Sequence, residues 1–123
     1  MDHKSLKSWL DAYGRAWETH DPAAVVQLFT EDATYEETPF IDPLRGHAEI
    51  QAYWTRAVAN HESVHFSHEI LTSSDDRCIV HWWCSFDRLP ARKRVRLDGI
   101  FVLDFDAGGR CKRLRQWWHR HEA

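Results

Sequence analysis

Three side chains in this chain, Glu37, Tyr13 and Gln116, have the type and placement to take a proton from a bound molecule or to steady the charge that this leaves. Glu37 follows Tyr35 by two positions in the run Phe29-Thr-Glu-Asp-Ala-Thr-Tyr-Glu-Glu-Thr-Pro39, so an extended segment projects the phenol and the carboxylate from one face. Tyr13 lies on the apolar stripe of an N-terminal helical pattern, and Gln116 on the inward side of the last strand pattern. A carboxylate on the wall of an aromatic cavity is desolvated, which disfavours its charged form and moves its proton affinity toward neutral pH. Glu37 can then take a proton from a carbon beside a carbonyl. Tyr13 can donate to the enolate oxygen that develops, where a fixed donor in a dry site contributes most. Gln116 can add a neutral donor or orient the substrate. Plainer roles stay open: an exposed carboxylate or one tied to Arg45 or Arg56, a core tyrosine bonded to backbone, and a satisfied buried amide. Glu36 faces the other way and is solvated.

These residues need elements that hold them. Positions 5 to 19 set Leu6, Trp9, Leu10, Tyr13, Ala16 and Trp17 at helical spacing, with Lys7, Asp11, Arg15 and Glu18 on the other side. Asp21-Pro22 starts a second, short helix that runs to Phe29, because Asp accepts free amides of the first turn and Pro suits the first helical position. A strand from Ala33 to Thr38 follows, stopped by Pro39 and Pro43. The loop Phe40-Ile-Asp-Pro-Leu44 is apolar enough to predict that it covers something. A third helix, about His47 to Asn60, puts Ile50, Tyr53, Trp54, Ala57 and Val58 on one stripe. The period then changes to two, with strands at 64–73, 77–88, 93–106 and 110–121 joined by short turns, hence antiparallel neighbours. Three helices packed on one face of a curved, mostly antiparallel sheet make an α+β layout and one domain over residues 1–123.

Alternation assigns faces. Val95, Leu97, Gly99, Phe101, Leu103 and Phe105 point to the core, with Val80, Trp82, Cys84 and Phe86 before them and Leu114, Gln116 and Trp118 after. Gly99 reads as a kink or bulge where the sheet curves. The outer face holds Trp83, Ile100, Val102 and Trp117 inside a border of Arg96, Asp98, Asp104, Arg113 and Arg115. That pattern resembles a protein interface and predicts a homodimer.

Composition narrows the function classes. The 123 residues carry 28% charged and 43% hydrophobic residues and a net charge of −3, which gives no overall attraction to nucleic acid or anionic lipid. The basic run Arg88-Leu-Pro-Ala-Arg-Lys-Arg-Val-Arg96 falls at a hairpin tip and lacks interleaved aromatics, so it reads as a solvated turn rather than a phosphate track. No stretch reaches the roughly 18 apolar residues of a membrane span, and the opening Met-Asp-His-Lys-Ser lacks an apolar secretory segment. Cys78, Cys84 and Cys111 are odd in number and have no Cys-x-x-Cys spacing, which predicts reduced thiols and a cytoplasmic location. His61, His65, His68 and His81 do not predict a metal site, since His65 and His68 point to opposite sides of a strand. His119 and His121 share a side with Trp117, at the surface or an interface. Seven Trp, six Phe and three Tyr suit a ring-lined cavity as well as a core.

The strand entry Phe-Thr-Glu-Asp-Ala-Thr-Tyr, the helix start Leu44-Arg-Gly-His-Ala-Glu-Ile50 and the ending Phe101-Val-Leu-Asp-Phe-Asp-Ala-Gly-Gly-Arg110 resemble the SnoaL-like branch of the nuclear transport factor 2-like superfamily, from about Leu6 to His119. The resemblance implies a cone-shaped α+β barrel, commonly a homodimer, with a ligand cavity between helices and concave sheet. Its members include isomerases, hydrolases, cyclases, dehydratases and non-catalytic binders. Against ketosteroid isomerase, the oxyanion tyrosine falls on Tyr13, the catalytic carboxylate on Glu37, a second tyrosine on Trp54 and a cavity tryptophan on Trp118. The protonated aspartic acid of that oxyanion hole falls on Phe101, which donates nothing. Against limonene epoxide hydrolase, the Arg and two Asp fall on Trp82, Cys84 and Gln116, and only the strand tyrosine matches, at Tyr35. The resemblance therefore implies an apolar or aromatic small-molecule ligand lined by Trp17, Tyr35, Trp54, Trp82, Phe101, Leu114 and Trp118, with no cofactor. Three functions follow: a non-catalytic binding domain, a cofactor-independent isomerase, cyclase or dehydratase using Glu37 and Tyr13, or a protein-interaction module.

Overall fold

The computed structural model describes residues 1–122. Its elements run α1 (His3–Glu18), α2 (Pro22–Val26), β1 (Phe29–Glu36), β2 (Leu44–Arg45), α3 (Gly46–Val58), β3 (His61–Ser74), β4 (Arg77–Arg88), β5 (Lys93–Phe105) and β6 (Cys111–Glu122). The stripe of α1 is buried along its length, from Leu6 to Trp17. Asp2 caps that helix by accepting the Ser5 N–H at 2.8 Å, and Asp21 caps α2 through the Ala24 N–H at 3.1 Å.

Helix α2 stops three residues earlier than its apolar run predicts. The Leu28 carbonyl accepts the Cys111 N–H at 2.9 Å and the Trp9 indole N–H at 2.9 Å, and these bonds draw the chain onto β6 before another turn can form. Strand β1 consequently begins at Phe29 and ends at Glu36. Glu37 therefore stands one residue beyond the strand, not within it.

The six strands form one sheet in the order β2-β1-β6-β5-β4-β3. The predicted antiparallel meander from β3 to β6 is present. Two pairings were not legible in the alternation: β1 runs parallel to β6, with Tyr35 opposite Leu114, and Leu44–Arg45 pairs antiparallel with Thr34 and Tyr35. That second pairing folds residues 37–43 back as a loop with its tip outward. Phe40 is 99% exposed and Ile41 61%, so the tip of the loop covers nothing, contrary to its apolar composition.

The inward positions of β4, β5 and β6 are buried with α1 in one core. Trp9 meets Phe105 and Tyr13 meets Phe101 edge-on, at centroid separations of 5.5 and 5.4 Å. Gly99 does not mark a kink. Its ladder is regular on both sides, Trp82 and Trp118 being its partners, and a Cβ there would lie 2.7 Å from the Trp82 ring. The glycine makes room for an indole instead.

On the outer face Trp83 and Trp117 are 36% and 46% exposed, among polar contacts such as the Arg77–Asp104 ion pair at 2.7 Å and the His81–Asp98 hydrogen bond at 2.6 Å. The three cysteines are buried free thiols; burial raises all three, Cys78 to about 11. No helix among the described residues is long and apolar enough to cross a membrane.

Candidate active site

A hollow of about 130 Å³ lies between the inward face of the sheet, α1 and α3. Helix α1 contributes Tyr13 and Trp17, β1 contributes Tyr35, and α3 contributes Tyr53, Trp54 and Ala57. Strands β4 and β6 contribute Trp82, Phe86, Gln116, Trp118 and Arg120; Glu37, His61 and Leu97 complete the wall. Most of the residues marked by type and spacing are thus brought to one place. Two are not: Phe101 and Leu114 are fully buried behind the wall. Phe101 lies flat against Trp82, with centroids 5.0 Å apart at 19°, and Leu114 is spent on the β1–β6 ladder.

The deep polar pair is Tyr13 and Tyr35. Their hydroxyls are 2.9 Å apart and both residues are 1% exposed. Burial, first of all, raises both phenols well above their ordinary value, so each keeps its proton through neutral pH. One hydroxyl donates to the other, which leaves the accepting one free to donate elsewhere. The Trp54 indole N–H lies on the Tyr35 side and pulls weakly on that phenol, without completing a hydrogen bond. The Trp82 indole N–H is likewise buried without a partner.

Glu37 is half-buried. The Trp118 indole donates to its backbone carbonyl at 3.0 Å, which pins the turn that follows β1. Among the described residues its carboxylate meets only the Tyr53 hydroxyl, 3.5 Å away, too long for a strong O–H···O bond. Neither Arg45 nor Arg56 pairs with it among the described residues. Desolvation raises its carboxyl above the ordinary value and the Tyr53 contact partly offsets this. Gln116 is, apart from the ring and thiol side chains, the one buried polar side chain among the described residues, at 5% exposure; its amide reaches the hollow without a hydrogen bond to another described side chain.

Tyr53, His61 and Arg120 were missed as site residues. Helical spacing puts Tyr53 on the inward stripe of α3, and nothing local tells a packing tyrosine from one that reaches a carboxylate 16 residues upstream. His61 accepts the Trp17 indole N–H on Nδ1 at 3.1 Å and stacks on Phe86 at 3.7 Å. Burial, then the charges of His20 and Arg120, lowers it to about 4. Among the described residues no group of three or more His, Cys, Asp or Glu is placed to hold a metal ion.

Known proteins resemble this chain, one in sequence and two in the arrangement of elements. A Steroid Delta-isomerase of Nocardioides simplex is 28% identical over 111 residues, covering 79% of this chain and 76% of that protein. The epoxide hydrolase/cyclase-like enzyme SalBIII, of pyran ring formation in the polyether salinomycin, superposes with a TM-score of 0.84 at 23% identity, covering 99% of this chain and 98% of that one. A Delta 5-3-ketosteroid isomerase from Mycobacterium sp. gives 0.81 at 16% identity, over 97% and 98% of the two chains. At such identities the solved structures speak for the fold. Residues 10–114 match the SnoaL-like domain family, and the chain belongs to that family.

Proposed function

We propose that this chain binds a small flat molecule in the aromatic hollow and that Glu37 moves a proton on it without a cofactor, as an isomerase, cyclase or dehydratase does. The observation that carries the reading is a half-buried carboxylate, raised by desolvation and paired with no cation among the described residues, on a wall of rings. A base of that kind takes a proton from a carbon beside a carbonyl and returns it to another position. The Tyr13–Tyr35 pair supplies one O–H to the oxygen on which negative charge collects, and Gln116 orients the carbonyl. In this reading the sheet curves as a cone around the hollow, and the outer face around Trp83 and Trp117 pairs two copies of a cytoplasmic protein.

Size restricts the substrate. Pockets for drug-sized ligands measure roughly 300–1,000 Å³, whereas a dry cavity of about 150 Å³ holds benzene. The hollow of about 130 Å³ therefore suits a single ring. Non-catalytic binding is the second reading, and one feature favours it: Phe101 stands where the resemblance to ketosteroid isomerase puts a second acid donor, and it has no proton to give.

The test is conjugation of a β,γ-unsaturated cyclic ketone, 3-cyclohexen-1-one, followed by ultraviolet absorbance. Glu37→Gln should lower turnover by roughly 10²-fold or more while the ketone's dissociation constant stays within a few-fold. Equal losses in turnover and binding would sink the catalytic reading and leave the binding one.

A further inference from the structure

We infer that the wall formed by His61 and Arg120 is an anion subsite, so that the molecule taken by the hollow is a single-ring carboxylate. This rests on the hollow being the ligand site, and it adds the substrate class.

Arg120 stands on the inward side of β6. It lies opposite Leu97 in the ladder, two positions beyond Trp118, and it lines the hollow. Its charge is not fully met. Arg88 and Arg120 share the single carboxylate of Glu122, Arg88 through Nε at 3.1 Å and Arg120 through Nη2 at 3.2 Å. Two guanidiniums on one carboxylate leave one positive charge over. Nearby acids on the same hairpins are already engaged, Asp87 with Arg94 at 3.1 Å and Glu62 with Arg92 at 3.0 Å. Of the residues on the wall, Glu37 is the one acid.

His61 supplies the second element. Because Nδ1 accepts the Trp17 N–H, the neutral ring carries its proton on Nε2 and is a donor there. Stacking on Phe86 fixes the plane of the ring. Arg120 and His61 line the same hollow, and the Arg120 charge is among the forces that lower this histidine. At neutral pH the wall thus offers one guanidinium and one neutral N–H within a ring-lined space. A carboxylate leaving water needs such partners to offset its desolvation, and a guanidinium matches its geometry.

The probes are benzoate and benzyl alcohol, the same ring with and without the charge, titrated against tryptophan fluorescence, to which Trp17 and Trp118 on the wall report. Benzoate should bind about tenfold tighter, a value set below that of a buried charged hydrogen bond because the Arg120 side chain is 40% exposed. Added salt should weaken benzoate alone. Arg120→Gln should erase the preference, lowering the affinity for benzoate more than that for benzyl alcohol. Arg88→Gln should reduce it as well, since Glu122 then neutralises Arg120 in full while the wall residue stays in place. Equal affinities in the wild type, or a preference that survives both substitutions, overturns the inference. Binding of neither probe overturns it too; Glu37-dependent conjugation of the ketone, measured separately, then decides whether the catalytic reading stands.

Discussion

Replacing Tyr13 by Phe removes one hydroxyl from a pair 2.9 Å apart and 1% exposed at each end, and leaves every ring in place. Tyr13 keeps its stack on Trp9 at 5.4 Å and its edge contacts with Trp54 and Phe101, so packing should change little. The cost is that of a stranded partner, about 1–3 kcal/mol for a buried hydroxyl left unsatisfied. The two single variants should not be equal. Tyr13→Phe leaves the Tyr35 oxygen near the Trp54 indole N–H, which can turn toward it; Tyr35→Phe leaves Tyr13 with no such neighbour and should cost more. The double variant strands nothing, so it should be less destabilised than the sum of the singles by about 1 kcal/mol or more. Urea unfolding at a common m-value measures all four corners. Additivity within about 0.5 kcal/mol would mean that the two hydroxyls are not coupled, and the donor relay drawn for the site would fall.

Two further outcomes can be checked with stability measurements alone. Gly99→Ala should gain about 0.5–1 kcal/mol from the lost flexibility of glycine and lose about 1–3 kcal/mol to overpacking, because the new Cβ meets a Trp82 ring clamped by Phe101 and Phe66; a raised melting temperature would refute the clamp. Glu37 holds its proton more firmly in the folded state, so its contribution to folding is present below the ordinary carboxylate value and is lost as pH rises through the raised one. Glu37→Gln, always neutral, should match the wild type below about pH 4 and exceed it at pH 7. A difference that does not change with pH would mean that this carboxylate is solvated.

Much of the frame is local, and local patterns report it well. The α1 stripe, the cap at Asp21 and the alternating faces of β4 and β5 follow from periods of 3.6 and two residues, which any short window displays. The end of α2 does not, because it is set by two bonds to the Leu28 carbonyl from residues far away in the chain. The parallel pairing of β1 with β6 joins segments about 80 residues apart, and nothing within either segment announces it. The apolar loop at Phe40 misled for the opposite reason: composition suggested burial, but pairing of Leu44 with Tyr35 turned the tip to solvent.

The chain's own order of residues determined that an acid and a phenol two positions apart would sit near a ring-rich core, and that Tyr13 would face that core from a helix. Only the folded arrangement decided their chemical surroundings. It moved Glu37 past the end of its strand toward Tyr53, gave Tyr13 to Tyr35, and set His61 against Trp17 and Phe86. Proton affinity and charge at such a site depend on desolvation and on neighbours brought from elsewhere in the chain. A linear pattern carries neither of those quantities.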